Sequence, residues 1–124
     1  YNNEDEDEDE EELDLSRPDK SIGDIIKKDN IDKDQLKDYQ RYLSNQKIYL
    51  SEYGSTSERL DFTQELDSEY SKLRKLAFST NDVMLLGLLN ETSINMSIFD
   101  YIGMFEKIIN MYLNNNEKDD NNDK

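Results

Sequence analysis

From Asp32 to Leu50 the apolar positions Leu36, Tyr39, Leu43 and Leu50, with Tyr42 beside Leu43, fall near the 3.6-residue spacing of a helix, and Lys, Gln and Arg fill the opposite side. The cluster Gly54-Ser55-Thr56-Ser57 ends that helix. Leu60-Asp61-Phe62 then alternates apolar and polar as a short extended triplet would, and Asp61 or Thr63 can cap a second helix carrying Leu66, Tyr70, Leu73, Leu76 and Ala77. Ser79 followed by Asp82 opens a third, Val83 to Leu89, which is apolar all round and therefore expected at the centre of the fold. A second triplet, Ile94-Asn95-Met96, precedes a last helix capped by Ser97 and running to Leu113. Its face is Ile98, Ile102, Phe105, Ile109 and Tyr112, widened by Tyr101, Met104 and Ile108. Ahead of all four, Ser21 to Lys28 predicts a short turn with Ile22, Ile25 and Ile26 on one side, which either docks or frays.

Charge sets the expected domain limits. Residues 1–20 hold eleven acids against Arg17 and Lys20, and residues 114–124 hold four against two lysines, so only −4 of the net −15 belongs to residues 21–113. The nine acids from Glu4 to Glu12 contain no apolar residue to offset the ~1–2 kcal/mol per residue that ordering a backbone costs. The expected organisation is a disordered acidic segment at 1–20, a helical domain at 21–113, and a disordered polar tail at 114–124, with Pro18 marking the first boundary. The acidic run is read mainly as a solubilising segment, and secondarily as a contact for a basic partner.

Composition removes most chemistry. With no Cys and no His there is no thiolate nucleophile, imidazole base or zinc site of ordinary type, and the chain is read as not an enzyme and as needing no cofactor. Carboxylate pairs such as Asp67 and Glu69 are expected to be a solvated face in a chain with 30 acids. The tyrosines are not interleaved with basic residues, and the net charge of −15 argues against nucleic acid and anionic membrane. No apolar run approaches the ~18 residues that span a bilayer, so direct membrane insertion is not expected. Asn90-Glu91-Thr92 and Asn95-Met96-Ser97 match the glycosylation pattern, as chance allows in an Asn- and Ser-rich chain. The chain opens at Tyr1, which leaves targeting and compartment open.

The order of elements, with two triplets each just before a helix, is that of a paired EF-hand, whose loops form a two-strand bridge. Ile31-Asp32-Lys33-Asp34-Gln35-Leu36-Lys37-Asp38-Tyr39 resembles the opening helix of a calmodulin-type lobe. Leu73-Arg74-Lys75-Leu76-Ala77-Phe78-Ser79-Thr80 resembles the segment between two hands, and Ile94-Asn95-Met96-Ser97-Ile98-Phe99 the end of a second loop. Over Ile31 to Ile109 the chain resembles degenerate myosin light chains, including the myosin tail-interacting type. Calcium loops need oxygen ligands at positions 1, 3, 5 and 12 with Gly at 6. With Leu60 at position eight, those ligand positions hold Tyr53, Ser55, Ser57 and Gln64, and Glu58 stands where Gly should; the second loop puts Gly87 and Leu89 at positions one and three. No metal is expected there.

The resemblance implies an all-α, four-helix unit of two degenerate EF-hand-like motifs that grips an amphipathic basic helix, such as a myosin neck or tail segment, without calcium. Leu73, Met84, Leu85, Leu88, Met104 and Phe105 are the candidate groove residues, with ordinary core packing as their alternative role. A light-chain role implies a cytoplasmic or cytoskeletal location. The rival reading is a helical spacer or adhesion domain of a larger secreted or surface protein.

Overall fold

A computed structural model describes residues 13–27, 30–92 and 96–122, with side chains through Asn114. The described residues form five helices and no strand: α1 Ile22–Ile26, α2 Lys33–Glu52, α3 Thr56–Thr80, α4 Val83–Leu89 and α5 Ile98–Asn122. The all-helical class read from the periodicity is the observed one.

Side-chain caps start the helices, at Asp32 and Ser97 where the sequence places them and at Ser55 ahead of the expected cap. Asp32 accepts from the Asp34 and Gln35 amides at 3.0 and 3.3 Å to open α2. Ser55 and Glu58 form a reciprocal capping box at α3, and Ser97 accepts from the Asp100 amide at 3.1 Å at the head of α5. At the α2–α3 corner a Cβ on Gly54 would stand 2.8 Å from the Leu50 Cα, so the return of the chain depends on glycine's lack of a side chain. Helix α3 ends at Asn81, which has φ 59°, a left-handed conformation that asparagine tolerates.

The core is built from one stripe of each long helix. Leu36, Tyr39, Tyr42, Leu43 and Leu50 of α2 are buried, as are Phe62, Leu66, Leu73 and Ala77 of α3 and Tyr101, Ile102, Met104, Phe105, Ile108, Ile109 and Leu113 of α5. Helix α5 packs on α2, α3 and α4, while α1 docks on α2 and α3 through Ile22, Ile25 and Ile26. The consecutive helices α2 and α3 are not among the closely packed pairs; long side chains join them, including Tyr42 edge-on to Phe62 at 5.9 Å between ring centroids.

Several expectations are corrected. Leu60-Asp61-Phe62 is not extended: it lies in the second turn of α3, because the Ser55–Glu58 box starts the helix six residues earlier than Asp61 would. An extended bridge between the two triplets is therefore missing its first half, and Ile94 and Asn95 lie outside the described residues. Helix α4 is not central. With seven residues it can turn only one side to α3 and α5, so Leu85 and Leu89 are buried while Val83 and Met84 are 74% and 64% exposed.

The described residues reach past both expected domain limits. Residues 13–20 lie against the bundle with Leu13, Leu15, Pro18 and Lys20 half-buried, so the ordered unit begins ahead of Ser21; residues 1–12 lie outside the described residues. At the other end the backbone stays helical to Asn122, where a disordered tail from residue 114 was expected. Extending a nucleated helix adds a hydrogen bond per residue, and residues 114–122 contain no Pro or Gly to stop it.

Candidate functional site

Two places on this bundle collect groups that a plain core does not need. The first is a shallow cavity of about 590 Å³ between α4 and α5. Met84, Gly87, Leu88 and Glu91 line one wall, and Lys107, Asn110, Met111 and Asn114 the other. On α5 the set runs i, i+3, i+4, i+7 and forms one helical edge of two turns, roughly 10 Å long at 1.5 Å per residue, while on α4 Met84, Gly87 and Leu88 share one edge and Glu91 follows in the turn after the helix. A Cβ added at Gly87 would meet nothing within 4 Å, which makes the floor low at that point. Lys107 and Glu91 join the walls by an ion pair at 3.4 Å.

Around the adjacent α3–α4 corner three large apolar side chains stand in solvent within seven residues: Phe78 is 61%, Val83 74% and Met84 64% exposed. Arg74 lies over the Phe78 ring at 5.3 Å. The corner is rigid, because Asp82 caps α4 by accepting from the Leu85 amide at 3.1 Å and also accepts the Tyr112 hydroxyl of α5 at 2.6 Å.

The six residues singled out from the sequence divide between core and surface. Leu73, Leu85, Met104 and Phe105 are 2% exposed or less and pack in the core, so they do not line an open groove. Met84 and Leu88 do line it, together with Met111, which belongs to the same helix as Met104 and lies two turns further on.

The second place is a polar cluster that sequence reasoning missed. Glu69 of α3 is only 1% exposed. Its Oε1 accepts the Ile22 amide of α1 at 3.1 Å, and its Oε2 accepts the Tyr39 hydroxyl of α2 at 3.1 Å. One turn earlier, Glu65 accepts the Tyr42 hydroxyl at 2.7 Å. Arg17, from the segment ahead of α1, reaches both carboxylates, at 3.4 Å to Glu65 and 3.7 Å to Glu69. Burial raises the Glu69 pKa against the opposing pull of the Ile22 amide, Tyr39, Lys72 and Arg17. Burial also raises the Tyr39 hydroxyl, reinforced by the neighbouring Glu69 and Glu65 charges, and so keeps it a neutral donor. For Arg17 burial works against the charge, yet the pull of Glu65, Tyr39 and Glu69 leaves its pKa above the ordinary value.

The solvated-face reading of Asp67 and Glu69 is thus corrected for Glu69, which is sealed in the core; Asp67 is exposed but accepts the Tyr101 hydroxyl at 2.8 Å. A signal for Glu69 does exist in the sequence: Phe62, Leu66, Glu69, Leu73 and Ala77 fall 4, 3, 4 and 4 residues apart, so the acid occupies a place in the buried stripe.

No family model matches this sequence, and it has no significantly similar relative among curated proteins or solved structures. Its chemistry is therefore read from its own side chains. Among the described residues no group of three or more Asp or Glu side chains is arranged to hold a metal ion, and no helix is long and apolar enough to cross a membrane.

Proposed function

We propose that this chain is a calcium-independent protein-docking module that seats an amphipathic helix with a basic polar face in the α4–α5 groove. The observation that carries this reading is the pairing of the α4 edge of Met84 and Leu88 with the α5 edge around Met111, with the exposed apolar corner Phe78, Val83 and Met84 beside it. A partner helix laid into a groove is anchored through the same spacing, and unbranched Met side chains adapt to its contours. A basic partner is favoured by overall charge: the chain carries −15, of which −4 belongs to residues 21–113 and the rest to the segments flanking them.

The resemblance to myosin light chains supports the same class of function, an adaptor on a basic helix, and a myosin neck or tail segment is the partner it suggests. Its lobe geometry has no support at Leu60-Asp61-Phe62, which is helical, so the docking role is rested on the α4–α5 groove rather than on a lobe opened between paired loops.

Titration of the full chain with a lysine-rich amphipathic helical peptide tests the reading by fluorescence anisotropy. Binding is expected to weaken with added salt and to be unaffected by calcium. Met84→Asp and Gly87→Leu, which place a charge at the groove and bulk on its floor, are each expected to weaken it about ten-fold or more, equivalent to ~1.4 kcal/mol, with helix content unchanged. Absence of binding, or binding indifferent to both substitutions, overturns the proposal and leaves a spacer role ahead.

A further inference from the structure

Helices α2 and α3 are joined by long side chains, and residues 13–18, Leu13-Asp14-Leu15-Ser16-Arg17-Pro18, lie over that junction as a strap that is neither helix nor strand. The receptor side is built without help from the strap. Tyr42 holds Glu65, while Tyr39 and the Ile22 amide hold Glu69, so both carboxylates are aimed and fixed by groups from α1 and α2. Beside them a cavity of about 250 Å³, lined in part by Tyr49, Leu50 and Phe62, takes Leu15 at its edge.

The strap side is held far less firmly. Leu13 and Leu15 are half-buried, the Arg17 side chain is 53% exposed, and its ion pairs are long at 3.4 and 3.7 Å. Among the described residues, one hydrogen bond, from the Asn45 side chain to the Asp14 carbonyl at 3.1 Å, secures its backbone to α2. A segment with few backbone bonds can open while the helices beneath it stay folded, here at the cost of taking Arg17 away from the buried Glu69, a cost that an incoming arginine offsets. When the strap lifts, Glu69 and Glu65 lose the cation that reaches both, and a preorganised anionic groove is exposed, with a cavity beside it that mixes Tyr49, Leu50 and Phe62 with Glu58 and Asp61.

We propose that the α2–α3 groove is a receptor for a segment of the pattern apolar-x-apolar-x-Arg, and that residues 13–18 are its resident, exchangeable occupant. The incoming occupant is a segment of a basic partner protein. A second copy of this chain carries the same strap, but two chains of −15 each repel, which disfavours exchange between copies. The ligand chemistry is read from the strap: Leu13 is half-buried, Leu15 lines the cavity, and Arg17, two residues on, faces the paired, fixed carboxylates. Arginine suits this seat better than lysine because its planar fork can address Glu65 and Glu69 together. This face is distinct from the α4–α5 groove, and the proposal does not depend on helix binding there.

The test uses a fluorescent peptide with the sequence of residues 13–18, added to the full chain and to a Leu15→Asp, Arg17→Ala double variant that frees the groove. The variant is expected to bind the peptide about ten-fold or more tighter than the wild-type chain, because its groove is no longer occupied in cis. The peptide with Ala in place of its Arg is expected not to bind, and Glu65→Gln or Glu69→Gln in the double variant is expected to abolish the gain. Circular dichroism checks that each variant is folded, and Glu65→Gln, at a partly exposed site, keeps the test decisive should Glu69→Gln disturb the core. Met84→Asp is expected to leave peptide binding unchanged. Equal binding to wild type and double variant, binding that survives loss of the peptide arginine, or a strap-dependent dimer in sedimentation overturns the proposal.

Discussion

The Tyr39 hydroxyl on α2 donates to the Glu69 carboxylate on α3 at 3.1 Å, inside a core where Tyr39 is fully buried and Glu69 is 1% exposed. An acid in that position is tolerable because three elements meet it with donors or charge: the Tyr39 hydroxyl, the Ile22 amide and Arg17. A buried carboxylate that lost one of these partners would keep its desolvation cost. Tyr39→Phe is therefore expected to destabilise the fold by about 1–3 kcal/mol, measured as a lower urea midpoint with little change in slope. An unchanged midpoint would show that the bond contributes nothing net.

The same residue sets a pH dependence. The Glu69 pKa is raised by burial, so the folded state binds its proton more readily than the unfolded chain does. The sign follows: the penalty of its charge is fully present above the raised pKa, and stability from this group increases as pH falls through it. Measured against wild type at about pH 7.5 and about pH 5, Glu69→Gln is expected to remove that gain on acidification. If the variant and the wild type change in parallel, Glu69 does not titrate in this range.

At the opposite extreme, Glu58 is exposed, and its pKa is lowered by the Ser55 amide and then by the Tyr49 hydroxyl. Its contribution is present above the ordinary carboxylate range and is lost as pH falls through the lowered value. Fraying at the start of α3 is thus expected to increase in acid, read as faster amide exchange at Glu58 and Arg59; equal exchange at neutral and acid pH, corrected for the intrinsic rate, counts against it.

At the α2–α3 corner, a methyl group on Gly54 would press on the Leu50 backbone, with 2.8 Å to Cα and 2.9 Å to the carbonyl oxygen. Backbone cannot step aside as a flexible side chain can. Gly54→Ala is expected to cost about 1–3 kcal/mol, seen as a lower thermal midpoint, and a neutral result would mean that the corner relaxes freely.

Core and groove residues should respond differently to truncation. Phe105 and Leu73 are fully buried, and Phe105→Ala and Leu73→Ala are expected to lower stability by about 3–5 and 2–5 kcal/mol respectively. Met84→Ala, at a side chain mostly in solvent, is expected to change stability by no more than about 0.5 kcal/mol. A large loss at Met84 would place it in the core after all.

Much of this fold follows from local patterns. Leu36, Tyr39, Leu43 and Leu50 announce α2, and the run from Tyr101 to Leu113 announces the buried side of α5, because the spacing of apolar residues is a property of one helix alone. The start of α3 was also written locally, in Ser55 and Glu58, although the Gly54-to-Ser57 cluster reads equally as a loop. Within the groove, Met84 and Leu88 were legible as apolar and adaptable.

What local pattern could not rank was which apolar side chain meets a neighbour. Leu85 is buried and Met84 exposed although they are adjacent on one short helix, and only the placement of α4 against α3 and α5 decides between them. The Glu69 cluster was decided in the same way. An acid among thirty reads as solvated until Tyr39, the Ile22 amide and Arg17, drawn from positions 30, 47 and 52 residues away in the chain, converge on it. Periodicity is set by one helix; burial, partners and the strap on the α2–α3 junction are set by how the helices are assembled.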